Sequence, residues 1–188
     1  MSLGSTTLVF DDPEGPPAIT AWSLTDVSGG DQPIDGLPLV DAIGSAERGS
    51  HPNGAISFDH VVVRTPDVIR TQEVFARRGF DLRRERTAGT ETHPILQSFY
   101  RLGEVVLEVV GPAIGPETEP RNETEPSSFW GLVANVEDIE VAMKATKGLV
   151  KHPRPAVQPG RRIATMHAEL GLGVPFAFMD DRAQPEVL

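Results

Sequence analysis

The 188-residue chain contains no cysteine, which removes disulfides, thiolate metal sites and a cysteine nucleophile from consideration. No apolar run approaches the ~20 residues that a bilayer-crossing helix needs, and the N-terminus lacks the basic and apolar regions of a secretory signal. The expectation is a cytoplasmic protein with no membrane partner. Basic residues are in deficit, 17 against 27 acidic for a formal net charge of -10. That balance argues against a nucleic-acid surface and favours neutral or cationic ligands. There is no nucleophile elbow, phosphate-cradling glycine loop or zinc-protease helix motif, so no nucleotide cofactor is implied. A chain of this length builds one domain with its own core.

What is present is a pattern that occurs twice. Ile56 to Val63 reads as a strand, Arg64-Thr65-Pro66-Asp67 opens a helical stretch, and the copy closes on Glu104 to Val110. The second copy opens on Phe129 to Val136, passes Glu137-Asp138 into a helical stretch, and closes on Val174 to Met179. In copy one Thr65 is a good helix cap with Pro66 at the first helical position, Val68, Ile69, Val74 and Phe75 supply an apolar face, and Gly79 stops the helix. Strands follow over 80–86, 98–102 and 105–110. In copy two Asp138 precedes Ile139, Val141, Ala142 and Ala145, Gly148 is the stop, and strands follow over 149–152, 162–169 and 174–179. Each copy is therefore βαβββ. The fold class expected is α+β, with paired βαβββ modules forming a curled mixed sheet around a central cleft, plus an N-terminal β-hairpin extension.

The domain layout follows. Residues 1–55 form a hairpin and linker extension, 56–180 the repeated domain, with module one at 56–112, a linker at 113–128 and module two at 129–180, and 181–188 a tail. The hairpin is expected from Thr6 to Phe10 and Ala18 to Leu24, two β-like runs joined by Asp11-Asp12-Pro13-Glu14-Gly15-Pro16-Pro17. Residues 26–54, rich in Gly, Pro, Asp and Ser, read as a mostly irregular linker along the domain surface.

A strand with Asp59-His60-Val61-Val62-Val63, a Thr65-Pro66-Asp67 helix start and a closing strand with Leu107-Glu108-Val109 resemble the vicinal oxygen chelate superfamily. That group holds glyoxalase I, extradiol dioxygenases, fosfomycin-resistance enzymes and bleomycin-resistance proteins. The likeness covers residues 56–180, and the stretch Pro155 to Thr165 looks like its uncharacterised glyoxalase-like members. The fold hosts several chemistries, so the resemblance leaves the reaction open among lyase, isomerase and dioxygenase. It implies a small-molecule ligand and a homodimer.

Metal-dependent members take a His from the first strand and a Glu from the last strand of a unit, and equivalent residues from its neighbour. The resemblance thus assigns His60 and Glu108 as metal ligands or as a catalytic acid–base pair. Copy two departs from the pattern. Aligning Asp67 with Asp138 sets Gly131 opposite His60, and Phe176, Ala177 or Phe178 falls opposite Glu108. None of these can bind a metal, so any divalent ion is expected to be weakly held or absent, because a tight site needs three or four protein ligands. A third ligand would have to come from His152, His167 or Glu169.

The second cluster is Gln158-Pro159-Gly160-Arg161-Arg162. An arginine fork grips carboxylate or phosphate, and a glycine before it lets the backbone approach a ligand. Arg161, Arg162 and Gln158 are candidate substrate-binding residues, with Trp130 and His167 as further ones, and a turn carrying solvated arginines is the competing reading. Two functions remain in play. One is a glyoxalase-like enzyme acting on a small oxygenated metabolite in the cleft between modules. The other is a non-catalytic binding protein of the bleomycin-resistance type.

Overall fold

A computed structural model describes residues 17–24, 27, 32–41, 51–113 and 124–180, together with the backbone pairing of 2–3 and 6–7. The tail at 181–188, most of the 113–128 linker and much of the N-terminal extension lie outside the described residues. The elements run β1 (Ser2–Leu3), β2 (Thr6–Thr7), β3 (Ala55–Arg64), α1 (Val68–Arg77), β4 (Leu82–Gly89), β5 (Pro94–Leu102), β6 (Val105–Pro112), β7 (Ser128–Val136), α2 (Ile139–Ala145), β8 (Arg154–Pro155), β9 (Arg162–Thr165) and β10 (Phe176–Asp180). Two successive βαβββ units are present, as the repeat requires. No helix among the described residues is long and apolar enough to cross a membrane.

The described residues fall into two compact units. One comprises those within Ile19–Gly44 and Val61–Trp130, the other those within Met1–Ala18, Ser45–His60 and Gly131–Leu188. In the first, the strand order is β4-β5-β6-β3; in the second, β3-β7-β10-β9-β8, with β3 passing from one into the other. Each copy sets its last strand beside its first, and β10 runs parallel to β7.

In the first unit, α1 buries Val68, Thr71 and Phe75, a spacing that puts all three on one helix face. Its cap is Asp67 rather than Thr65. Asp67 accepts from the Arg70 N–H at 2.9 Å. The Thr65 hydroxyl oxygen in turn accepts from the Asp67 N–H at 3.1 Å and lies 2.7 Å from the Thr71 hydroxyl. Thr65 thus shapes the approach to the helix and Pro66 falls before the cap. In the strands beneath, Val105, Leu107 and Val109 point to the helix side and are buried, while Val106, Glu108 and Val110 point the other way. Gly111 lets β6 close on the start of α1: a Cβ there would lie 2.4 Å from the Thr65 carbonyl oxygen and 2.8 Å from Val68.

In the N-terminal extension Thr6–Thr7 pairs with Ser2–Leu3, and Trp22 bridges in parallel to Leu39. Residues 8–16 of the hairpin expected over 6–24 lie outside the described residues. Within the supposed irregular linker, Ile34 and Leu37 exchange both backbone hydrogen bonds, at 3.0 and 2.9 Å, around Asp35 (φ 52°) and Gly36 (φ 86°). This is a two-residue turn of the primed kind, for which Asp-Gly is well suited. It inserts Ile34 and Leu37, 0% and 1% exposed, into the core of Phe75, Tyr100 and Leu107. Three groups hold the Asp35 carboxylate: Thr71 at 2.6 Å, Ser127 at 2.5 Å, and Arg70 at 3.0 Å. Trp22 closes the same core, with its ring centre 5.3 Å from Phe129 and 6.1 Å from Phe80. Burying these side chains is what turns a Gly- and Pro-rich segment into structure, since its backbone pairing alone is sparse.

In the second unit, α2 is capped by Asp138, which accepts from Glu140 N–H at 2.9 Å. Its sheet is shorter than the repeat implies. The strand expected at 149–152 is reduced to a bridge between Val150 and Met166, with β8 following at Arg154–Pro155. The strand expected over 162–169 stops at Thr165, and a 3-10 turn occupies Ala168–Leu170.

If the turn at 34–37 is core rather than linker, Leu37→Ala should cost about 3 kcal/mol of unfolding free energy, the ordinary penalty for emptying a buried leucine site. Equilibrium denaturation measures it, and a cost within 0.5 kcal/mol, typical of a surface site, would contradict this placement.

Candidate functional site

In the second unit, β3 presents Ser57 and Asp59, β7 presents Asn135, and the turn that leads into β9 presents Arg161. Asp59 is the hub. One carboxylate oxygen accepts from Arg161 Nη1 at 2.6 Å and the other from His60 Nδ1 at 2.7 Å. The second terminal nitrogen of Arg161 donates to Asn135 Oδ1 at 2.5 Å, and Asn135 Nδ2 donates to the Ser57 hydroxyl at 3.0 Å. The side chains of Asp59, His60 and Arg161 are 14%, 13% and 19% exposed, so the group is largely shielded from solvent. Burial by itself would push the Asp59 carboxyl up. Hydrogen bonds from His60 and Arg161, with the charge of Arg161, outweigh it and bring the pKa from 3.8 to about 2.

That ionised carboxylate decides the state of the neighbouring ring. A carboxylate can only accept, so His60 Nδ1 must carry the proton, and in the neutral imidazole Nε2 is then the basic nitrogen. His60 and Arg161, both singled out in the sequence, are therefore linked, through an aspartate that the sequence reading did not name as functional.

The other predicted residues sit elsewhere. Arg162 points to the helix side of the sheet, where it donates to Asp180 at 2.5 and 3.1 Å and to Glu140 at 3.1 Å. Asp180 also accepts from Ile139 N–H, the first residue of α2, at 3.1 Å. The hydrogen bonds to Asp180 raise the Arg162 pKa above its ordinary value against the cost of burial. This guanidinium is engaged in holding α2 to the sheet. Gln158 is exposed in the turn before β9, closed by an Ala156 N–H to Arg161 carbonyl bond of 2.8 Å. His167 precedes the 3-10 turn with its side chain 43% exposed, and Trp130 is 47% exposed.

Glu108 lies in the first unit on the sheet face away from α1. Its carboxylate accepts from Gln97 Nε2 at 2.6 Å, and Phe99 stands directly opposite on β5. Glu85 and Ser98, both bonded to Gln72 of α1, mark the other face.

A divalent metal is the group this fold most readily suggests. His60 is oriented as a metal-bound imidazole would be, with a carboxylate on its far nitrogen. The donor count does not follow. On the sheet face away from α2, the second unit places Val133, Ala177, Met179 and Ile163 beside Asn135 and Thr165, a set with no carboxylate or imidazole. Among the described residues no three His, Asp or Glu side chains form a metal-holding group. The residues present do not fit a tightly held ion.

No protein-family model and no curated protein matches the chain. Solved structures do. Methylmalonyl-CoA epimerase from Mycobacterium tuberculosis superposes with a TM-score of 0.51 at 15% identity, over 71% of this chain and 92% of that one. A hypothetical protein from Bacillus halodurans C-125 gives 0.49 at 18%, over 69% and 97%. A Streptomyces coelicolor methylmalonyl-CoA epimerase in complex with 2-nitronate-propionyl-CoA gives 0.49 at 19%, over 70% and 99%. With its two βαβββ units, the chain has the fold of the vicinal oxygen chelate superfamily.

The depressed Asp59 pKa has a defined sign. Stability from this carboxylate is fully present above the unfolded value near 3.8 and is lost as pH falls through about 2. Asp59→Asn should therefore be less stable than the native chain at neutral pH by about 2 kcal/mol, and the gap should close between pH 4 and 2. Urea unfolding across that range checks it; a gap independent of pH would contradict the ionised hub.

Proposed function

We propose that this chain is a glyoxalase-like enzyme that moves a proton on a small oxygenated metabolite, with His60 as the group that takes and returns it. The observation that supports this reading is the Asp59 carboxylate shared between His60 Nδ1 and Arg161. A base needs its lone pair on a defined atom and its charged form stabilised. Asp59 does both, fixing Nε2 as the basic nitrogen and lying against the imidazolium that forms when a proton is taken from carbon next to a carbonyl. Arg161 keeps Asp59 ionised, so the proton stays on the imidazole and does not pass to the carboxylate. Proton abstraction beside a carbonyl is isomerase chemistry, of the class to which the name epimerase of the Mycobacterium tuberculosis structure belongs. In this reading no protein-held metal is required.

The apolar lining at Val133, Ala177 and Met179 favours a second reading, a binding protein of the bleomycin-resistance type, because it removes the ligands on which metal-dependent relatives rely.

One experiment separates them. Small oxo acids, hydroxy acids and acyl thioesters are incubated with the protein in D2O and exchange of the proton beside the carbonyl is followed by NMR. Exchange with at least one class is expected, falling at least about 100-fold in His60→Ala, the scale of a lost general base. Saturable binding of a compound without exchange in any class would contradict the enzyme reading and leave the binding protein.

A further inference from the structure

The strand register of the first unit builds a feature that proton transfer does not use. Arg84 on β4 stands opposite Phe99 on β5, which stands opposite Glu108 on β6; in the next row Arg86 stands opposite Gln97, and Gln97 opposite Val110. Directly opposed residues of antiparallel strands share a face, so Arg84, Arg86, Gln97, Phe99 and Glu108 lie on the face turned away from α1. A register irregularity between Leu82 and Arg84 sets this parity.

Two properties make the face more than a solvated surface. Neither Arg84 nor Arg86 has an acidic partner among the described residues, although the chain carries ten more acidic than basic groups. Glu85, between them, is turned to the opposite face and held by Gln72. In addition, the Gln97 carbonyl oxygen is buried without a donor, while its amide nitrogen is committed to Glu108. A buried acceptor with no donor is costly, and a ligand hydroxyl or N–H would satisfy it. Phe99 offers a half-buried ring between the arginines and Glu108, and a hollow of ≈ 390 Å³ opens beside it, walled in part by Arg101 and Val106.

We propose that this face binds a small molecule by an anionic end: a carboxylate or phosphate held by Arg84 and Arg86, an apolar body over Phe99, and a hydroxyl or N–H donating to Gln97. The arginine row and Glu108 are two strand spacings apart, about 10 Å, so the anion is gripped away from the Glu108 carboxylate. The ligand is therefore a small acid or phosphoester carrying a donor, not a cation. This goes beyond the proposed proton transfer and does not rest on it.

The test is binding without turnover. Glutarate, 2-hydroxyglutarate and inorganic phosphate are titrated into the full chain and followed by calorimetry. Saturable binding of glutarate points to a carboxylate end and of phosphate to a phosphoester end; either supports the proposal. Arg84→Ala and Arg86→Ala should each weaken that binding roughly tenfold or more, the scale of a lost charge-assisted hydrogen bond. Arg84 is exposed and Arg86 partly so, so circular dichroism and the melting temperature should change little, and Arg→Lys at either site should restore part of the affinity. Gln97→Leu should erase the preference for 2-hydroxyglutarate over glutarate. Glu108→Gln removes a like charge and should leave anion affinity equal or higher. If none of the three binds, or if binding ignores both arginine substitutions, the proposal is wrong.

Discussion

The pairing of Asp59 with Arg161, 102 residues apart, is the interaction on which the site depends. A carboxylate shielded to this degree would ordinarily take up a proton and become a poor partner for either neighbour. Arginine prevents that, since its charge is permanent and its fork reaches Asp59 with one nitrogen and Asn135 with the other. The result ties β3, β7 and the turn before β9 to one ionised group, and the imidazole of His60 inherits its proton position from it. Local order and the position of the imidazole proton have the same cause.

The same device recurs. Asp35 gathers Arg70, Thr71 and Ser127 in the first unit, and Asp180 gathers Arg162 and the first N–H of α2 in the second. An excess of acid is usually read as solubilising surface, yet these aspartates are internal fastenings, each satisfied by several donors as buried carboxylates must be. Arg70, Arg161 and Arg162 are committed to fastening, whereas Arg84 and Arg86 have no acidic partner among the described residues.

Much of the fold was legible in the sequence. The repeated strand-to-helix punctuation gave both βαβββ units, and Asp138 and Gly79 marked helix ends because capping and termination are local. The turn at Ile34–Leu37 was missed because its Gly- and Pro-rich surroundings outweighed a real signal, Asp-Gly flanked by two apolar residues. In the group around Asp59, His60 and Arg161 carried their own cues. Asp59 did not stand out although it precedes His60, because its meaning lies in a partner 102 residues away. The arginine row was hidden for another reason: an irregularity at the start of β4 changes which residues face which way, and alternation cannot locate it.

The central claim is that an ionised Asp59 fixes His60 with its proton on Nδ1. Nitrogen-15 NMR of the labelled imidazole, recorded where the ring is neutral and assigned with His60→Gln, measures this directly. The account predicts a protonated, pyrrole-like Nδ1 and an unprotonated, pyridine-like Nε2, with that preference lost in Asp59→Asn. A neutral ring with its proton on Nε2 in the native chain would contradict it.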